Sequence, residues 1–80
     1  MNQPAEGHVY KFFVDAKEYE AADRYRSGQQ IKHQAGIEDS YQLFLEEDGD
    51  TPDKPIRDDE TIDLGDRIKH FFAVPPATFG

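Results

Sequence analysis

Residues 10–20 read YKFFVDAKEYE, and this stretch decides the fold. From His8 to Val14 the chain is rich in aromatic and β-branched residues, and KEYEAA follows from Lys17, with Asp15-Ala16 as the turn between them. The pattern predicts a β-hairpin. Next, Ser27-Gly28-Gln29-Gln30 places a hydroxyl three residues before a glutamine, the spacing of a capping box, and Gly36 stands where a helix end needs a residue tolerant of positive φ. A short helix is therefore predicted from Gly28 to Ala35. Its inward side is thin, with Ile31 and Ala35 four apart and Ile37 just beyond, so packing on a sheet has to stabilise it.

Further along, YQLFLEE from Tyr41 alternates as a strand does, and RIKHFFAV from Arg67 to Val74 does so again before Pro75-Pro76 stops ladder pairing. Between them, Glu46 to Asp66 holds ten acidic residues against Lys54 and Arg57, which accounts for the whole formal charge of -8. Gly49, Pro52 and Pro55 break that segment into a loop with one short edge strand near Pro55 to Arg57. Hairpin, crossover helix and returning strands make an α+β domain with one helix across one sheet face.

Eighty residues supply one core, which excludes a multidomain enzyme. At this size folding hides only about 60% of the unfolded surface, leaving little apolar material to line a deep cavity. The acidic balance, with a pI near 4.6, repels phosphate backbones and anionic lipid. Nucleic acid and membrane are therefore not expected partners. No apolar run approaches the length of a membrane span, and MNQPAEG has neither the basic start nor the apolar stretch of a signal peptide, so a cytoplasmic location is expected. The absence of cysteine rules out disulfides, thiolate catalysis and cysteine-based zinc sites.

In order and lengths, YKFFVDAKEYE, the helix of SGQQIKHQAGI, the DDETIDLGD stretch and the closing FFAVPPATFG resemble the β-grasp fold of ubiquitin, and more narrowly the bacterial multiubiquitin-type domains. The resemblance runs from about Tyr10 to Gly80. It implies one short helix packed on a mixed sheet of four to five strands. The implied division is a flexible segment over residues 1–7, the domain over 8–74 and an extended tail over 75–80.

It also implies that the Gly80 carboxylate is adenylated with ATP by a separate activating enzyme, then passed to a carrier residue and to a protein target. Glycine suits that step because a residue without Cβ passes a narrow channel and leaves the carboxylate open to attack. Pro75 and Pro76 would hold the tail extended, and Ala77, Thr78 and Phe79 would complete the threaded segment. Ubiquitin ends in two glycines; here Phe79 is penultimate, which requires a matched activating enzyme. The implied partners are that enzyme, a conjugating enzyme, a processing peptidase and the target. The chain itself would be no enzyme and need no cofactor. Two other readings stay open: a β-grasp interaction or assembly module that is never conjugated, and a sulfur carrier.

Strand parity adds an expectation of its own. With Tyr10, Phe12 and Val14 facing the helix, Phe13 faces out; with Leu43 and Leu45 inward, Phe44 faces out. With Ile68, His70, Phe72 and Val74 taken as inward, Lys69 and Phe71 face out. The usual β-grasp strand order then sets Phe13, Phe71 and Phe44 side by side as an apolar patch for a protein partner.

Other candidates carry less. Counting from Asp48, an EF-hand would need an oxygen ligand and a glycine where Pro52 and Asp53 stand. His8, His33 and His70 share no ligand spacing, so no metal site is expected. Ser27 reads as a helix cap rather than a nucleophile.

Overall fold

The structure, a computed structural model, describes residues 8–77. The opening strands are β1 (Tyr10–Val14) and β2 (Lys17–Ala21), joined at Asp15-Ala16. Both turn residues have positive φ, 52° at Asp15 and 69° at Ala16, which is the twist of a type I′ hairpin turn. Ala16 takes a conformation that costs a residue with a Cβ roughly 1–2 kcal/mol.

A short strand, β3 (Tyr25–Ser27), leads into helix α1 (Gly28–Gln34). Ser27 Oγ accepts from the Gln30 N–H at 3.1 Å while Gln30 Oε1 accepts from the Ser27 N–H at 2.8 Å, so the capping box closes in both directions. Two more of the helix's first N–H groups are satisfied from outside: Gly28 donates to Glu60 O and Gln29 to Asp58 O, each at 3.0 Å. A Cβ on Gly28 would lie 2.3 Å from Arg57 O, so that close approach requires glycine. At the other end Gly36 adopts φ 72° and donates to His33 O, while Ile37 donates to Lys32 O, a Schellman closure.

The remaining strands are β4 (Gln42–Leu45), β5 (Lys54–Ile56), β6 (Thr61–Asp63) and β7 (Lys69–Val74). Five of the seven form a mixed sheet in the order β2-β1-β7-β4-β5, and β3 pairs with β6 in a small second sheet. β7 lies in the centre, parallel to β1 and antiparallel to β4. The α+β class with one short helix on a mixed sheet, expected from the sequence, is the one observed. The β3–β6 pair was not anticipated; each strand is three residues long and shows too little alternation to read.

The core comprises Phe12, Val14, Ala21, Ile31, Leu43, Leu45, Ile56, Ile62, Leu64 and Phe71. Phe71 corrects an expectation: it points inward, 1% exposed, edge-on to Phe12 at 6.2 Å. Lys69 is inward too, whereas Ile68, His70 and Val74 are exposed and Phe72 is half-buried. The parallel register sets the phase, since Phe12 neighbours Lys69 and Val14 neighbours Phe71. In the other phase His70 would stand in mid-core without an evident partner, whereas Lys69, near the strand's start, runs its stem along the core and reaches the Asp66 carboxylate.

The other buried cation, Lys32, is 2% exposed. Its ammonium donates to the Asp39 and Tyr41 carbonyls, each at 2.9 Å, and to Asp58 Oδ1 at 2.8 Å, so all three protons are used.

Truncating the two neighbouring rings separates the two phases. Phe71→Ala is expected to lower unfolding free energy by about 3–5 kcal/mol, and Phe72→Ala by only about 1 kcal/mol. Urea titration of both variants makes the comparison.

Candidate functional site

The sheet face opposite α1 carries Phe13, Phe44, Phe72 and His70, none of which belongs to the buried core. Phe13 and His70 are register partners across β1 and β7, and their rings stack with centroids 4.7 Å apart and planes 5° from parallel. Phe44 and Phe72 are register partners across β4 and β7, stacked at 5.1 Å and 10°. His70 and Phe72 are two apart on the central strand, so the two stacks adjoin and make one stripe from β1 across β7 to β4. Pro55, opposite Phe44 on β5, extends it to the far edge.

The three phenylalanines are half-buried and His70 is exposed, so ring surface faces solvent. On the β1–β2 side the stripe is bordered by Lys11 and Glu18, paired at 3.7 Å. A stacked ring pair on a sheet face keeps its shape without side-chain ordering, which suits it to anchor an apolar side chain of a partner.

Of the residues expected in this patch, Phe13 and Phe44 lie on the outer face and Phe71 does not; Phe72 takes its place and His70 joins. Sequence reading missed His70 because two adjacent phenylalanines leave the parity of β7 undecided. Lys69 carried the missing signal: a lysine near a strand end has a neighbouring acid, Asp66, to meet. Pro75, Pro76 and Ala77 follow β7 as exposed residues without regular structure. Thr78, Phe79 and Gly80 lie outside the described residues, as does the segment over residues 1–7.

The acidic segment is fastened down rather than simply solvated. Besides Asp58 on Lys32, Asp66 pairs with Lys69, Glu60 with Lys54 at 2.8 Å and Glu47 with Arg67 at 3.8 Å. Asp63 accepts from Arg24 Nε at 2.8 Å and Nη2 at 3.0 Å, and from the Gly65 N–H at 2.8 Å. The Arg24 hydrogen bonds, followed by the Gly65 N–H, pull the Asp63 carboxyl down to about 2. Glu60 is lowered by its hydrogen bond from Lys54, and Asp66 by its bond from Lys69.

The three histidines stand apart, each with its own neighbour: His33 against Asp39 at 2.8 Å, His8 edge-on to Tyr10, His70 on Phe13. Ser27 is engaged as the helix cap. A cavity of about 520 Å³ is an open depression beside Lys32 and Asp58, where that ammonium has no proton left to give. No helix among the described residues is long and apolar enough to cross a membrane.

One helix clasped against a mixed sheet with a central last strand defines a small ubiquitin-like domain. The sequence model of the Multiubiquitin family matches residues 10–75, and the chain belongs to that family. No curated protein and no solved structure matches it.

Two measurements probe this face and its supports. Phe44→Ser is expected to leave the fold intact by circular dichroism while weakening partner capture, with a binding loss of about 2 kcal/mol. Because the folded Asp63 carboxyl is lowered, its contribution is complete above the ordinary carboxylate range and lost as pH falls through about 2. In Arg24→Gln, NMR titration should find Asp63 moved back up toward that range, with acid unfolding beginning at higher pH.

Proposed function

We propose that this chain is a ubiquitin-like protein modifier of a bacterial conjugation system, working in the cytoplasm. It would be a substrate of other enzymes rather than an enzyme. The observation that carries the reading is membership of the Multiubiquitin family over residues 10–75. Two structural features support it: β7 runs up the middle of the sheet into exposed Pro75, Pro76 and Ala77, and the aromatic stripe offers a docking face.

In this reading the Gly80 carboxylate, free at the chain's end or freed by a processing peptidase, attacks the α-phosphate of ATP bound to an activating enzyme. Pyrophosphate leaves and an acyl adenylate forms. A nucleophile of the enzyme then displaces AMP, and the acyl group passes through a conjugating partner to the target. Pro75 and Pro76 limit the entropy lost when the tail threads into the enzyme, and Gly80 admits the nucleophile without a Cβ in its way. Phe79 then calls for a channel shaped to take a ring in the penultimate place. The modifier needs no cofactor of its own, since ATP belongs to the activating enzyme.

A second reading rests on the stripe alone: an interaction module that holds a partner through Phe13, His70, Phe72 and Phe44 and is never conjugated. The two part at Gly80. Incubated with ATP and its cognate activating enzyme, the chain is expected to give an adduct at Gly80 by mass spectrometry, and a Gly80 deletion should give none. An unchanged adduct pattern from the deletion would overturn the modifier reading. Loss of partner capture in Phe44→Ser without any Gly80 adduct would favour the module.

A further inference from the structure

The five-stranded sheet ends in two edges, and they are finished differently. On β5 the edge is three residues long, and Pro55 at its centre has no N–H. Such an edge is blunted against further pairing. β2 is five residues long, contains no proline and pairs with β1 without a bulge.

The ladder itself tells which backbone groups of β2 look outward. A two-residue turn makes Val14 and Lys17 a hydrogen-bonded pair, and by alternation Phe12–Tyr19 and Tyr10–Ala21 are the next. The peptide groups of Glu18 and Glu20 therefore point away from β1. Gln34 gives independent support: its Nε2 donates to the Glu20 carbonyl at 2.7 Å, where the N–H of an added strand would sit. A side chain from the end of α1 thus stands in for a missing neighbour at one of the outward groups. The Glu18 N–H and carbonyl have no such cover among the described residues.

We propose that the β2 edge receives an extended segment of a partner protein in which basic residues alternate with apolar ones. The basic side chains would meet Glu18 and Glu20, which share the outer face, and the apolar ones would lie on the helix side beside half-buried Tyr19. Glu18 is held only loosely by Lys11 at 3.7 Å, and Glu20 makes no ion pair among the described residues. Gln34 withdraws from the Glu20 carbonyl as the strand arrives. Charge excludes a second copy as the occupant: β2 against β2 would oppose glutamate to glutamate, between chains carrying -8 each. The proposal does not depend on conjugation at Gly80.

The probe is the peptide acetyl-Lys-Val-Lys-Val-Lys-Val-Lys-amide, with the same peptide bearing glutamate for lysine as control, at physiological ionic strength. Added to the ¹⁵N-labelled chain, the lysine peptide is expected to shift the Glu18 and Glu20 amide signals and slow exchange of the Glu18 amide by roughly tenfold. The glutamate peptide should do neither. Gln34→Ala, which uncovers the Glu20 carbonyl, should tighten binding by about fivefold. Glu18→Pro removes an N–H that β1 does not use, so the hairpin is kept and binding is lost; Glu18→Gln should bind, more weakly.

Shifts confined to residues 46–66, or equal binding by wild type and Glu18→Pro, would reduce the effect to diffuse charge attraction and overturn the proposal. Should Glu18→Pro fail to fold, an unchanged affinity in Gln34→Ala overturns it equally.

Discussion

Everything else in the molecule depends on the seating of β7 between β1 and β4. A parallel neighbour on one side and an antiparallel one on the other fix the register of this strand at both flanks, and a slip of one residue would exchange its two faces. The observed phase drives Phe71 into the core against Phe12 and leaves Phe72 and His70 outside, each stacked on a ring from the adjoining strand. A single phase choice thus sets both the packing of the interior and the chemistry of the exposed face. The same strand also fixes where Pro75 and Pro76 leave the sheet.

A domain this small has little apolar area, and charge completes the closure. Lys32 is almost wholly buried beneath the loop that follows α1, with its three protons divided between two carbonyls and the Asp58 carboxylate. That arrangement ties the helix, the turn before β4 and the acidic segment together at one atom. Removal of one acceptor would leave a buried charge under-satisfied, which is costlier than never having buried it. The acidic segment, so prominent in composition, is in this way a structural strap. Asp58, Asp63, Asp66, Glu47 and Glu60 each meet a base, and its β6 strand pairs with β3.

Much of this was legible in the residues. Asp15-Ala16 between two alternating runs, the Ser27–Gln30 box and Gly36 gave the hairpin and both helix ends, because those signals are local. What stayed illegible was settled by tertiary contacts. The sequence RIKHFFAV alternates acceptably in either phase, and only the neighbours on β1 and β4 decide between them. Burial of Lys32 could not be read from a helix position next to Ile31, since its acceptors, Asp39, Tyr41 and Asp58, come from other loops. The strands β3 and β6 are too short to carry a period, and their pairing follows from the path of the acidic segment. Of the three rings expected on the outer face, Phe13 and Phe44 therefore lie there and Phe71 does not.

The proposed roles divide the surface between the outer stripe, the β2 edge and the tail beyond Val74, three regions that different partners could engage at once. Their common requirement is the phase of β7, and a NOESY spectrum of the isolated chain in solution tests it most directly. Cross-peaks between the Phe44 and Phe72 rings, between Phe13 and His70, and between Phe71 and Phe12 are the expected result. Cross-peaks from Phe71 to Phe44 or Phe13, with Phe72 placed against Phe12, would contradict it.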